Sequence, residues 1–375
     1  MALKIAFFSF ADIDNFGDIL FSHIFKMEME KRVKDIQIDF FTPSHFKVEG
    51  IEYQAYNREK VKQNNYDALI VFGGEVIHLY DERTWKPIYA KNKKELESDL
   101  PSDVIFDWAN ISKPYKAWIS VGVRPISNEV DFQKIAQTIS NLDYVSTRGN
   151  LSKKILENLN LENNQANIHI TPDMGWKFPM LLNHAKQKGE LYKKHINVEK
   201  YLIYQVNNIT SEEAKQIAHY LYDFYKTTNI KIVLLPIIRP WEDKKYLELI
   251  HREFPNDFIL LDNDLTILEL ADILIHSEIT LTSSLHGCIT ALSVGTPGGI
   301  INKWQGTKLQ DLFGHQFRLN KLKHNISEMP DLLKELLNEK ENPNNGLKQY
   351  SEFMQLTLDN VFDDLVVNIK SKING

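Results

Sequence analysis

Ser283-Ser-Leu-His286-Gly-Cys-Ile-Thr-Ala-Leu-Ser-Val-Gly-Thr-Pro297 is the stretch of this chain with the densest potential for chemistry. It follows the apolar Ile279-Thr-Leu281 and reads as a short strand, a polar turn and a helix that Gly295 and Pro297 stop. Ser283 and Ser284 carry hydroxyls suited to capping that helix. The pattern aims free backbone N–H groups, two hydroxyls and the imidazole of His286 at one point beyond the carboxyl end of a strand, where a helix N-terminus favours an anion. A phosphate or a carboxylate suits such a point. The plainer alternative leaves the serines as caps and His286 as a packing residue.

In open α/β sheets ligands gather outside the carboxyl ends of the strands, so the residues standing there are the next candidates. After the first strand come Asn15, Gly17 and Asp18; after the third, Gly73, Gly74, Glu75 and His78; after the fourth, Arg124. The second half supplies Arg239, following Leu234-Leu-Pro-Ile-Ile238, and then Ser283, Ser284 and His286. Carboxylates thus collect in the first half, and hydroxyls, an arginine and a histidine in the second. A guanidinium fork suits a carboxylate or a phosphate. Structural alternatives stand beside each: Asn15 to Asp18 as an Asx turn capping the next helix, Gly73-Gly74 as a tight turn, Glu75 as a first-turn acid, and Arg148 as an ion-pair arginine, the preferred reading of that residue. No His-x-x-x-His or Asp-x-Asp-x-Asp cluster occurs, so no dedicated metal site is expected. Neither G-x-x-x-x-G-K-[ST] nor G-x-S-x-G is present, which lowers phosphate-loop nucleotidase and esterase readings.

The elements that must position these residues alternate strand and helix. Apolar β-rich runs occur at Lys4 to Phe10, Ile36 to Phe41, Tyr66 to Phe72, Tyr115 to Val123, Asp143 to Thr147 and Asn167 to Ile170. A second series begins at Tyr201 to Val206 and continues with Lys231 to Ile238, Asp257 to Leu261, Ile279 to Leu281 and Gly298 to Asn302, with Gln316 to Leu319 as a further candidate. Strands apolar on both faces, separated by helices, indicate parallel sheets covered on both sides. The expected fold is α/β, two Rossmann-like parallel-sheet domains facing across a cleft. Between them the polar stretch 183–199 loses the apolar period and is expected to be a linker, dividing 1–182 from 200–345. The last helix, within 346–375, places Leu358, Val361, Phe362, Leu365, Val366 and Ile369 on one stripe, and its polar face is acidic (Asp359, Asp363, Asp364), which favours packing over anionic lipid.

At 375 residues the chain has room for two cores, and a formal net charge of -6 argues against a nucleic-acid partner. The single cysteine, Cys288, excludes an internal disulfide framework and reads as a core thiol in a reducing compartment. No apolar run reaches the length of a membrane span, so the expectation is a cytoplasmic protein.

The motifs together resemble the polysaccharide pyruvyl transferase family. Asn15-Phe-Gly-Asp18, Val71-Phe-Gly-Gly-Glu75, Ser120-Val-Gly-Val-Arg-Pro125 and Ser283 to Pro297 carry the resemblance, with Asp143 to Arg148, Thr171-Pro-Asp173 and Gly306-Thr-Lys308 in matching order from about Ile5 to Leu312. The resemblance implies a GT-B-like architecture whose C-terminal helix packs back on the N-terminal half. It also implies transfer of a pyruvyl group from phosphoenolpyruvate to two sugar hydroxyls of a surface-polysaccharide precursor, releasing phosphate. The donor would sit on Ser283, Ser284, Leu285, Arg239 and Lys308, with His286 protonating the methylene or stabilising the leaving phosphate. Asp18 or Glu75 would be the base for an acceptor bounded by Asn15, Gly17, Gly74, His78 and Arg124. Neither metal nor redox cofactor is implied; the partners are a small donor and a saccharide acceptor, with peripheral contact at the inner membrane face if the acceptor is lipid-linked, and a homo-oligomer is left open. Many members carry arginine where this chain has Ser284, which puts the donor in doubt and keeps two alternatives in play: a nucleotide-sugar glycosyltransferase, and a member that binds without transferring. Trp85, Tyr89 and Trp108 are read either as a sugar-stacking wall or as packed aromatics.

Overall fold

The computed structural model describes residues 2–79, 82–91, 95–126, 128–159, 167–184, 189–238, 242–262, 264–304, 306–315, 318–342 and 344–375. The chain forms two compact units, Met1–Met174 with Leu356–Gly375, and Gly175–Gln355.

Among the described residues the first unit holds an eight-stranded sheet. Its strands are β1 (Leu3–Phe8), β2 (Ile36–Thr42), β3 (Phe46–Val48), β4 (Ile51–Ala55), β5 (Ala68–Phe72), β6 (Tyr115–Val121), β7 (Tyr144–Thr147) and β8 (Ile168–Ile170), in the order β3-β4-β2-β1-β5-β6-β7-β8. Every pair is parallel except β3 with β4. Ile5 to Phe8 and Ala68 to Phe72 are almost wholly inaccessible, as expected for central strands covered on both faces. The β3–β4 hairpin is absent from the sequence reading. Its two-residue loop, Glu49-Gly50, has positive φ at both positions, the geometry that suits strand twist, but Glu at the first is a weak signal beside Asn or Asp.

The second unit holds a six-stranded, all-parallel sheet among its described residues: β9 (Tyr201–Gln205), β10 (Lys231–Leu234), β11 (Phe258–Leu260), β12 (Ile279–Thr282), β13 (Gly298–Ile301) and β14 (Leu322–Lys323). Their order, β11-β10-β9-β12-β13-β14, is the doubly wound 3-2-1-4-5-6 arrangement, whose direction reverses between the first strand, β9, and the fourth, β12. The corresponding reversal in the first unit lies between β1 and β5. These two points are where loops diverge and a ligand finds room. The candidate strand at Gln316 to Leu319 does not appear: Leu319 starts a short 3-10 helix, the edge strand is Leu322–Lys323, and Gln316 and Phe317 lie outside the described residues.

The passage between units falls at Met174, ahead of the polar stretch 183–199. Its described part from Gly189 onward is anchored on the second unit: Gly189 and Tyr192 donate backbone N–H groups to the buried Asp272 carboxylate at 2.8 and 2.9 Å, and Leu191 and Ile196 are buried, while residues 185–188 lie outside the described residues. Its polar composition reflects hydrogen-bonded anchoring, which breaks an apolar period as a linker would.

The helix Leu347–Asn374 contributes its residues up to Gln355 to the second unit and the remainder to the first. On the first unit Phe362 lies 5.0 Å from the Phe72 ring and 6.1 Å from Phe25. Arg32, at the end of the helix Phe16–Arg32, donates to Asp359 at 2.8 Å and to Asp363 at 2.6 Å and also pairs with Glu28. The acidic face of the last helix is thus partly neutralised within the fold. Among the described residues no helix is long and apolar enough to cross a membrane.

Candidate active site

In the second unit the turn after β12 is built by local and distant hydrogen bonds together. Ser284 caps the helix Leu285–Leu292, its Oγ accepting the Gly287 N–H at 3.3 Å, with extended backbone at the cap. The Ser283 and Ser284 amides donate to Gln205 Oε1, at the end of β9, at 2.9 and 3.1 Å, and the Ser283 hydroxyl reaches the same oxygen at 3.2 Å. These two amides are therefore engaged in the fold. Accepting from Gly287 leaves the Ser284 O–H proton to be given elsewhere. His286, in the first helical turn, is half-buried, and Leu285 is buried beside it. Downstream, Asn302 donates to the Ser283 carbonyl at 3.2 Å and accepts from Trp304 N at 2.9 Å. Lys308 lies over the Trp304 ring at 4.9 Å, so Lys308 is tied to the same end of the sheet. Arg239 lies outside the described residues. Cys288 is fully buried and its thiol is pushed up to about 12 by burial, which makes it an inert core residue.

In the first unit the candidates converge at the carboxyl ends of β1, β5 and β6. Asn15 caps the helix Phe16–Arg32 by accepting the Gly17 N–H at 3.2 Å, so Asn15 and Gly17 form the Asx cap, and Asp18 follows in the first turn, largely buried. Gly73 and Gly74 both have positive φ, 82° and 79°. A methyl group at Gly73 would meet the Phe21 ring at 2.9 Å, and one at Gly74 would meet Val76 at 2.7 Å and the Asp18 carboxylate at 3.3 Å. The glycines therefore serve both turn and close approach. Arg124 Nε donates to Glu75 Oε2 at 3.0 Å, while Glu75 Oε1 is buried without a hydrogen-bond partner. Ser120 stands at a bulge with φ of 55°, held by Ser146 Oγ on its N–H at 2.9 Å and by its own hydroxyl donating to Pro172 O at 2.7 Å.

His78 stacks on Phe10 with ring centres 6.0 Å apart. Burial, reinforced by the Arg124 charge, pushes its imidazole down to about 3. The folded protein therefore holds it neutral, whereas the unfolded chain protonates it below about 6.5. The unfolded state then binds more protons, so stability falls as pH drops from about 6.5 toward 3. Urea denaturation at pH 7 and pH 5 should show His78→Gln losing about 2 kcal/mol less than the unaltered protein over that interval; equal losses would show that His78 is accessible to protons.

Of the three aromatics named for a sugar-stacking wall, Trp108 and Tyr89 are packed in the core and Trp85 is half-buried. Trp108 is buried, stacked on Phe8 at 5.0 Å with its indole N–H given to Val104 O, and Tyr89 is buried with its hydroxyl on Asp12 at 3.3 Å. Among the described residues no three His, Cys, Asp or Glu side chains come together to hold a metal ion.

Residues 15–302 match the family described as Polysaccharide pyruvyl transferase. This chain belongs to that family. Membership makes it a transferase, and the match includes the loops after β1, β5 and β6 and the Ser283–His286 turn, and ends before Lys308. No curated protein sequence matches the chain. Among solved structures, pyruvyl transferase family membership coincides with a fold similar to UDP-N-acetylglucosamine 2-epimerase from Rickettsia bellii, at 14% identity and a TM-score of 0.60 over 99% of this chain and 98% of that one. The Methanocaldococcus jannaschii UDP-GlcNAc 2-epimerase in complex with UDP-GlcNAc and UDP gives 14%, 0.56, and 95% and 100%. The wall teichoic acid polymerase TagF gives 13%, 0.51, and 99% and 90%. These likenesses establish a two-unit, GT-B-like fold.

Sequence reasoning missed Gln205, Asp243 and Asn302. Gln205 is signalled by a polar residue closing the otherwise apolar run Tyr201 to Tyr204; Asp243 reads locally as an ordinary first-turn acid.

Proposed function

We propose that this family member transfers a pyruvyl group from phosphoenolpyruvate to two hydroxyls of one sugar in a surface-polysaccharide precursor. The first hydroxyl adds to C2 of the donor as the methylene takes a proton and becomes a methyl group. The second hydroxyl then displaces phosphate, closing a cyclic ketal, and its proton leaves to base or phosphate. The first step is a proton-coupled addition and the second a displacement at C2 with phosphate as the leaving group; neither changes an oxidation level, so neither calls for a redox cofactor.

The observation that carries the reading is the Ser283–His286 turn at the strand-order reversal of the second unit, in a chain of this family. A helix N-terminus, the Ser284 hydroxyl, Lys308 and Arg239 suit a ligand bearing phosphate and carboxylate. His286 supplies the proton to the methylene and hydrogen-bonds the departing phosphate. Glu75, with one oxygen on Arg124 and the other without a partner, is the preferred base for the acceptor hydroxyl, and Asp18 beside Gly74 is its runner-up. On this reading the protein works in the cytoplasm, at the inner membrane face when the acceptor is carried on a lipid.

A second reading, a nucleotide-sugar glycosyltransferase, is supported by the fold likeness to the Methanocaldococcus jannaschii epimerase in complex with UDP-GlcNAc and UDP. Thermal denaturation with phosphoenolpyruvate and, separately, with nucleotide sugars separates the two. Stabilisation by phosphoenolpyruvate alone, with a pyruvyl mass added to a member of a sugar panel, is the expected result; stabilisation by a nucleotide sugar alone sinks the first reading.

A further inference from the structure

Gln205 and Asp243, each 1% exposed, connect two loops beyond the carboxyl ends of the second sheet. Gln205 Oε1 takes the Ser283 and Ser284 amides together with the Thr282 and Ser283 hydroxyls, and its Nε2 donates to Asp243 Oδ2 at 2.7 Å. The same Asp243 oxygen accepts the N–H groups of Ile237 and Ile238 at 3.2 and 2.8 Å, in the loop that leads from β10 to Arg239. Asp243 Oδ1 is buried without a partner.

Helix capping does not explain the pair, because the Gly287 N–H is already satisfied by Ser284. What Gln205 adds is location: donors converging on one amide oxygen fix where the turn stands, and Nε2 carries that position to the next loop. The arrangement also works against stability. Burial pushes the Asp243 carboxyl up to about 6, so keeping it ionised at neutral pH costs folding free energy, and residues that do so are concentrated at functional sites.

We infer that Gln205 and Asp243 are positioning residues, an amide–carboxylate relay that holds the Ser283–His286 turn and the Ile237–Ile238 loop in register for the donor. The inference rests on the phosphoenolpyruvate reading above.

Cutting the relay's links, and keeping them without the charge, tests it. Gln205→Met drops both links, whereas Asp243→Asn keeps an oxygen for Gln205 Nε2 and for the Ile237 and Ile238 N–H groups and removes only the charge. With every protein at a temperature where circular dichroism shows it folded, Gln205→Met should lose at least about tenfold in kcat/KM for the donor, with the acceptor KM unchanged, since small misplacements of binding groups carry such losses. Asp243→Asn should stay within about threefold of the unaltered protein. A loss under threefold in Gln205→Met, or a loss of about tenfold or more in Asp243→Asn, overturns the relay. Should Gln205→Met not fold, Gln205→Glu, which keeps an oxygen for the Ser283 and Ser284 amides but sets a carboxylate against Asp243, takes its place with the same expected loss. If the unaltered protein turns over a nucleotide sugar and not phosphoenolpyruvate, the proposed function fails and the same comparison on that donor decides the relay separately; turnover of neither overturns both.

Discussion

His286→Ala is expected to abolish phosphate release from phosphoenolpyruvate plus acceptor, a fall of about 10²- to 10⁴-fold in kcat, the range that a positioned proton donor supplies. The melting temperature should stay within a few degrees, because the side chain is half-buried in the first turn of the helix Leu285–Leu292 and alanine is a good helix former. The turn itself is held by Gln205 and by the Ser284 cap, neither of which needs the imidazole. Donor affinity measured by calorimetry is therefore expected to change only severalfold while turnover collapses. Residual turnover above a tenth of the original would show that the proton comes from another group.

Arg148→Ala is expected to lower stability by about 3–5 kcal/mol, seen as a shift of the urea midpoint. Its guanidinium donates to Asp173 at 3.1 Å, and both side chains are buried. Removing the cation takes from the buried Asp173 carboxylate the hydrogen bond and the charge that Arg148 gives it, which accounts for the size of the effect. Gly122 makes room for the pair: a methyl group there would stand 2.6 Å from Arg148 Nη2. Arg148 Nε and Nη2 have no hydrogen-bond partners, so the ion pair is itself only partly compensated. Arg148→Met combined with Asp173→Leu is accordingly expected to recover part of the loss. A single-variant loss under 1 kcal/mol would mean that Asp173 does not depend on Arg148 for its charge to be compensated.

Most of the fold is readable from residue types because parallel strands covered on both faces must be apolar throughout. Ile5 to Phe8, Ala68 to Phe72 and Tyr201 to Tyr204 announce themselves in this way. Edges read less well. The β3–β4 hairpin turns on Glu49-Gly50, a pair with little turn signal, and Leu322–Lys323 is too short to show a period. The stretch 183–199 looks like a linker because its apolar residues are few, yet Asp272 holds the amides of Gly189 and Tyr192.

The alternation of strand and helix, and the polar residues placed where strands end, were determined by the sequence alone, since periodicity and turn chemistry are local. Asn15, Glu75, Arg124, Ser284 and His286 are recognisable on those grounds. Only the tertiary structure decided which of their hydrogen bonds are committed to the fold. Gln205 lies 77 residues from Thr282 and 38 from Asp243, and these contacts exist because β9 sits between β10 and β12. Strand order is a property of the whole packed sheet, and no local pattern encodes it.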